Sequence, residues 1–282
     1  MTDSSSIALA LAHALSRGRK PAWPALAAAA LLLTGPAWAQ TNPTAHGLAG
    51  TLGAGAASVP TYQGSATRRT VAAPELSLSY RSRDWGSVEL GTRGLMWQAF
   101  EANDFRLGLV LGVDLGRKAR EVSGADPTPG DKRLAGMGDI RASAEAGISV
   151  GYGPVMLLTR QSLGERGHQG FLAELSIELP WAATDRIGLR ASASATWTDQ
   201  KYQQAYFGVT AAQARRTAFR AFTPQAGLRS TEISLGAEYK LNPATQLRAN
   251  VAFSRLGGDA AESPLVQRKL NQSAFIGVVY AF

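Results

Sequence analysis

Chemistry has few places to happen in this sequence. Of three histidines, His46 and His168 lie beyond the first 39 residues, and His168 sits in Gly167-His168-Gln169-Gly170. A hydrolytic reading pairs His168 with Ser162 as nucleophile and Glu165 as orienter, because a serine needs a neighbouring base held in one tautomer. Gly164, Gly167 and Gly170 crowd the same stretch, and a tight loop explains that composition more simply. The chain has no cysteine, which removes thiolate metal sites, cysteine nucleophiles and disulfides. No cluster has metal-ligand spacing, and Gly53-x-Gly55 is a glycine-rich strand rather than a dinucleotide fingerprint. The expectation is a protein without catalytic, metal or cofactor residues.

The elements that would hold any site are strands. From Ala274 every second residue to the end is apolar: Ala274, Ile276, Val278, Tyr280 and Phe282. Alternate side chains of a strand share a face, so these five form one greasy side. Ser273, Phe275, Gly277, Val279 and Ala281 form the other. The same dyad recurs at 75–81, 105–115, 140–150, 171–179, 187–197, 233–241 and 247–253. Strands of about 9–11 residues cross a tilted bilayer, whereas those of soluble sandwiches run nearer five or six. The reading is all-β: a transmembrane antiparallel up-and-down β-barrel with its apolar faces to lipid and Arg, Glu, Ser and Gly inside. A terminal aromatic resembles the barrel assembly signal of outer-membrane proteins. Tyr280 and Phe282 carry it, and the barrel-assembly machinery is its reader.

Export fits this. Arg17, Arg19 and Lys20 precede the apolar run Ala25–Leu33, followed by Ala37-Trp38-Ala39. That is a secretory signal over 1–39, cleaved between Ala39 and Gln40, and nine apolar residues are too few for a spanning helix. Its loss takes the formal charge from +8 to about +6. Residues 40–282 are then one barrel domain in the Gram-negative outer membrane. The basic balance suits outer-membrane lipid and lipopolysaccharide; no motif argues for nucleic acid.

Candidate strands are 47–57, 74–82, 86–93, 104–115, 139–150, 154–161, 171–179, 186–197, 231–241, 245–254 and 273–282. Eleven is odd, and bacterial single-chain barrels have even numbers, so ten or twelve is expected, with the error before residue 115. Short periplasmic turns fall at 151–153, 180–185 and 241–245, and long extracellular loops at 116–138, 198–230 and 255–272. Arg81, Arg106, Arg141, Glu145, Glu174, Glu178, Arg190 and Arg248 face the interior. Mixed charges pairing across a lumen of this size leave a narrow or occluded pore.

Several loop motifs resemble those of the MltA-interacting protein family (MipA/OmpV). They are Arg255-Leu256-Gly257-Gly258-Asp259-Ala260-Ala261-Glu262-Ser263-Pro264-Leu265-Val266, the stretch Thr198-Asp199 with Tyr202 and Tyr206-Phe207-Gly208-Val209-Thr210, and Leu134-Ala135-Gly136-Met137-Gly138-Asp139-Ile140. Pro60-x-Tyr62-x-Gly64-Ser65 and Gly167-His168-Gln169-Gly170 also fit. Ala281 stands where many members have a basic residue. The resemblance implies a non-enzymatic outer-membrane protein, a scaffold for a lytic transglycosylase and a murein synthase, or an envelope-stress or adhesion protein. A narrow channel for small solutes is the alternative. The candidate loop residues are Tyr202, Tyr206 and Phe207, read as an interfacial belt, loop packing or ligand contacts in that order, and Asp259, Ser263 and Pro264, read as a loop folded onto the rim.

Overall fold

The computed structural model describes residues 46–123 and 126–282; the signal segment 1–39 lies outside them. Alternation becomes a closed antiparallel barrel of twelve strands in sequence order, β1 meeting β12. The strands are β1 Gly47–Pro60, β2 Arg68–Arg81, β3 Ser87–Gly91, β4 Gly94–Ala102, β5 Phe105–Asp114 and β6 Ser143–Tyr152. There follow β7 Val155–Ser162, β8 Phe171–Ala182, β9 Ile187–Thr198, β10 Gly227–Lys240, β11 Thr245–Leu256 and β12 Leu270–Ala281. Closure is sealed at the chain end, where Gly50 and Phe282 exchange both backbone hydrogen bonds at 3.0 Å.

The strand absent from the sequence reading is β4. A two-residue turn, Thr92-Arg93, folds Gly91 back against Gly94, and Gly94 has φ +96°, a value that favours glycine. The expected strand 86–93 therefore swallowed the turn. Within β4 the register slips between Gln98 and Phe100, a bulge that breaks the dyad period.

The faces fall as alternation requires. Leu107, Leu109 and Leu111 of β5, Ile233 and Leu235 of β10, and Ile276 and Val278 of β12 stand exposed on the outside. Tyr152, Trp181, Tyr239, Tyr280 and Phe282 ring the short-turn end and Trp197 and Phe253 the loop end, all exposed. Such aromatics belong at membrane interfaces. Inside, the ring of Phe275 lies over Gly55 and Gly277, where a Cβ would stand 2.7 Å from it. Phe275 and Val279 are buried in the lumen. Arg141 departs from expectation: it precedes β6 and is exposed.

Short helices occupy the long loops: α1 Gln200–Phe207, α2 Ala211–Ala214 and α3 Gly258–Glu262. All of them lie at the end of the barrel opposite Gly47 and Phe282.

Candidate functional site

The loop end is filled by its own side chains. Asp199 caps α1 by accepting from the Tyr202 N–H at 2.9 Å, as an N-cap aspartate does. Tyr202, Tyr206 and Phe207 are buried, so the belt reading of these residues is replaced by packing within the loops. One turn of helix apart, Tyr202 and Tyr206 have ring centroids 4.8 Å apart, and His168 meets Tyr202 edge-on at 4.7 Å. They pack with Leu172, Leu256, Ala260 and Ala261. A second cluster joins Tyr62, Leu134, Met137, Val209, Phe219 and Leu265.

Hydrogen bonds tie the clusters together. Ser263 Oγ donates to the Phe207 carbonyl at 2.6 Å and accepts from the Leu265 N–H. Tyr62 Oη donates to the Leu265 carbonyl at 2.8 Å. Ahead of Pro264, Ser263 is extended at φ −59°, ψ 136°, the conformation a following proline imposes. Asp259, in the first turn of α3, accepts from the Gln225 N–H at 2.8 Å. Motifs far apart in sequence thus meet in one plug.

Charged groups enter this plug only with partners. Tyr206 Oη donates to the Asp114 carboxylate, and Arg229 donates to Tyr202 Oη at 2.9 Å. Arg117 is 4 % exposed and donates to the Tyr206 carbonyl. Burial lowers its pKa to about 10, opposed by the neighbouring tyrosines Tyr206, Tyr62 and Tyr202; it remains cationic at neutral pH. Burial also raises Tyr62, Tyr202 and Tyr206 above the usual tyrosine value, Tyr206 the most strongly.

His168 does not join Ser162 and Glu165. Its Nδ1 accepts from the Gly170 N–H at 3.1 Å, so the neutral ring carries its proton on Nε2 and gives it to Glu145 Oε1 at 3.0 Å. Neither nitrogen is left to take a proton from a serine. Ser162 Oγ is buried without a hydrogen-bond partner. Asp114, Glu145 and His168 bring ligand-type atoms within 4.8 Å of one another, yet each is committed. Asp114 accepts from Tyr206 and from the Gly116 N–H, and Glu145 pairs with Arg160 at 3.3 Å. With Nε2 protonated the trio does not fit a metal, which needs that lone pair.

Below the plug the wall charges cross the lumen in a ladder. Arg93 meets Glu178 at 3.7 Å, and Glu178 meets Arg190 at 2.9 Å. Arg190 then reaches Glu238 at 3.6 Å, Glu238 meets Arg248 at 2.9 Å, and Arg248 pairs with Glu75. The chain runs from the β3–β4 turn through β8, β9, β10 and β11 to β2. The Arg248 and Glu75 side chains are 4 % and 5 % exposed. A cavity of about 350 Å³ lies between plug and ladder, touched by Tyr206, Arg160, Glu174 and Glu232. A second, of about 250 Å³, opens toward the short turns beside Arg190 and Arg248.

A closed barrel, greasy outside with aromatic rims and charged inside, is an outer-membrane β-barrel protein. The family model for MltA-interacting protein MipA matches residues 52–282, and the chain belongs to that family. Among solved structures it is similar to the NanC porin at 10 % identity and TM-score 0.42, covering 82 % of this chain and 98 % of that one. It is also similar to a FadL homologue of Pseudomonas aeruginosa at 11 % identity and TM-score 0.40, covering 90 % and 95 %. An outer membrane channel from Pseudomonas putida F1 matches at 10 % identity and TM-score 0.39, covering 88 % and 100 %. No curated protein matches the chain.

Proposed function

We propose that this chain is a non-enzymatic outer-membrane barrel, closed to solutes, that serves as a binding platform for murein-remodelling enzymes. The ladder from Arg93 to Glu75 beneath a packed plug supports this reading, since charges that pair across the lumen narrow any aqueous path. The family name, MltA-interacting protein, points to a lytic transglycosylase as partner, and the resemblance of the loop motifs adds a murein synthase; both would be reached through the short turns on the periplasmic side. Residues 1–39 are the cleaved export signal and 40–282 the single mature domain; N-terminal sequencing of outer-membrane protein is expected to begin at Gln40. Tyr280 and Phe282 are the residues offered to the barrel-assembly machinery, and lipopolysaccharide is the lipid around the loop end.

In planar bilayers the purified barrel is expected to give no steady conductance, and immobilised barrel to retain a lytic transglycosylase from envelope extract. Steady conductance would turn the assignment to a narrow channel. The two cavities on either side of the ladder favour that second reading.

A further inference from the structure

The barrel wall is not of equal height all round. β3 ends at Gly91 and β4 begins at Gly94, with Leu90 opposite Leu78 of β2 and Leu95 opposite Leu111 of β5. Above that level residues 68–77 of β2 pair with β1 alone. On the other side Gly112 to Asp114 of β5 pair with β6 alone. The β3–β4 tip is the sill of a gap. Its lintel is the segment 126–131, held to the β2 side by Arg69, which donates to the carbonyls of Asp126, Pro127 and Thr128. The Gly130 N–H donates to the Thr61 carbonyl at 2.8 Å, completing the frame.

The gap lies in the half of the apolar belt nearer the loops: outward from β2 it presents Ala72, Pro74 and Leu76, and Tyr80 at the aromatic rim lies below. Unpaired backbone cannot face acyl chains at this depth; it persists only where it lines a polar cavity or finds partners. The 350 Å³ cavity reaches the gap, lined there by Arg69 from one side, Asp114 and Arg117 from the other, and Pro127 and Pro129 from the lintel. The carboxylates at this end of the cavity are already engaged, Asp114 by Tyr206 and Glu145 by His168 and Arg160. Arg69 and Arg117 donate to backbone carbonyls, which do not neutralise their charge, and the Nε of each is buried without a hydrogen-bond partner, so guanidinium charge and backbone N–H groups are the chemistry of the opening. Pro74 removes one donor from the β2 edge, a device that blunts strand pairing.

We propose that this gap is a lateral window through which the lumen takes the anionic head of a long-chain amphiphile from the outer leaflet. The head, a carboxylate or phosphate, lies between Arg69 and Arg117 and accepts from the β2 edge. Its acyl chain trails over Ala72 and Pro74 into lipid.

The test uses the full barrel in nonionic detergent with two diazirine photoprobes, a long-chain fatty acid and a lysophosphatidic acid, and crosslinks located by mass spectrometry. Labelling is expected to concentrate on residues 70–76 and 113–118 for both probes, or for the one whose head is preferred. Ala72→Trp, which fills the outer lip, is expected to cut that labelling about tenfold, the loss of some 1.4 kcal/mol of binding. Ala193→Trp, on the outer face of β9 and paired on both sides with Ile177 and Ile233, is expected to leave it unchanged. Lengthening the β3–β4 hairpin by ten residues, five in each strand, should carry β3 up to the level of Ala72, wall up the window and abolish the labelling; heat-modifiable migration confirms that each variant folds. Labelling spread evenly around the belt overturns the proposal. So does a two-copy mass with β2–β2 crosslinks, which would make the gap a seat for a second chain.

Discussion

Two regions fill one lumen by opposite means. The plug at the loop end is an aromatic core whose hydrogen bonds run mostly from side chain to backbone, as from Ser263 to Phe207 and Tyr62 to Leu265. The ladder beneath it is made of full charges from the wall itself. Burying apolar surface stabilises by about 25 cal/mol per Å². A buried ion pair returns little net energy after desolvation, although removing one partner costs much. The plug therefore holds the loops in place, and the ladder fixes which strands face one another across the lumen.

The contrast breaks most sharply at Phe207, which is 1 % exposed. Phe207→Ala leaves a void worth about 3–5 kcal/mol. Limited proteolysis is expected to cut within 199–226 while heat-modifiable migration, the mark of an intact barrel, persists. Loss of the barrel along with the loop would show that plug and wall are one cooperative unit.

Glu75→Ala leaves the buried Arg248 with Glu238 as its remaining acid and is expected to cost up to about 3 kcal/mol in urea unfolding from lipid. Glu75→Leu with Arg248→Met is expected to recover most of that, because an apolar pair carries no desolvation debt. The pair Arg81 and Glu101 is exposed at 39 % and 48 %. If Glu75→Ala proves as mild as Glu101→Ala, the ladder is wet and the contrast between the regions dissolves.

A smaller effect separates them by pH. Tyr62, Tyr202 and Tyr206 titrate above the ordinary value of 10.0 in the folded plug because burial disfavours their anions. Their stabilising contribution is whole below pH 10 and is lost as pH rises toward the folded values, where the unfolded chain releases protons first. Arg117, lowered to about 10, acts in the opposite sense, one group against three. Proteolysis of the plug loops is expected to accelerate above pH 10 while the barrel's migration holds.

Most of the wall was legible because facing is a local property. Leu107, Leu109 and Leu111 declare their side by period alone, and Glu178, Arg190 and Arg248 declare the other. The limits were less so. β1 runs to Pro60 and β2 starts at Arg68, where small residues give alternation little contrast. β4 vanished behind a glycine turn and a bulge, although Leu90 and Leu95 flanking Gly91-Thr92-Arg93-Gly94 were the available signal. The short helix at Tyr202 carries no strong amphipathic stripe, and so its aromatics could pass for a belt.

By itself the sequence determined the barrel, its inside and outside, and the absence of thiol chemistry, because a period of two needs only neighbouring residues. Only the tertiary structure decided that Tyr62 would reach Leu265, 203 positions away, that His168 would give its proton to Glu145, and that Arg248 would find Glu75. Those meetings depend on the stagger of twelve strands around a closed ring and on loops folding inward, and neither is written in any one stretch of chain.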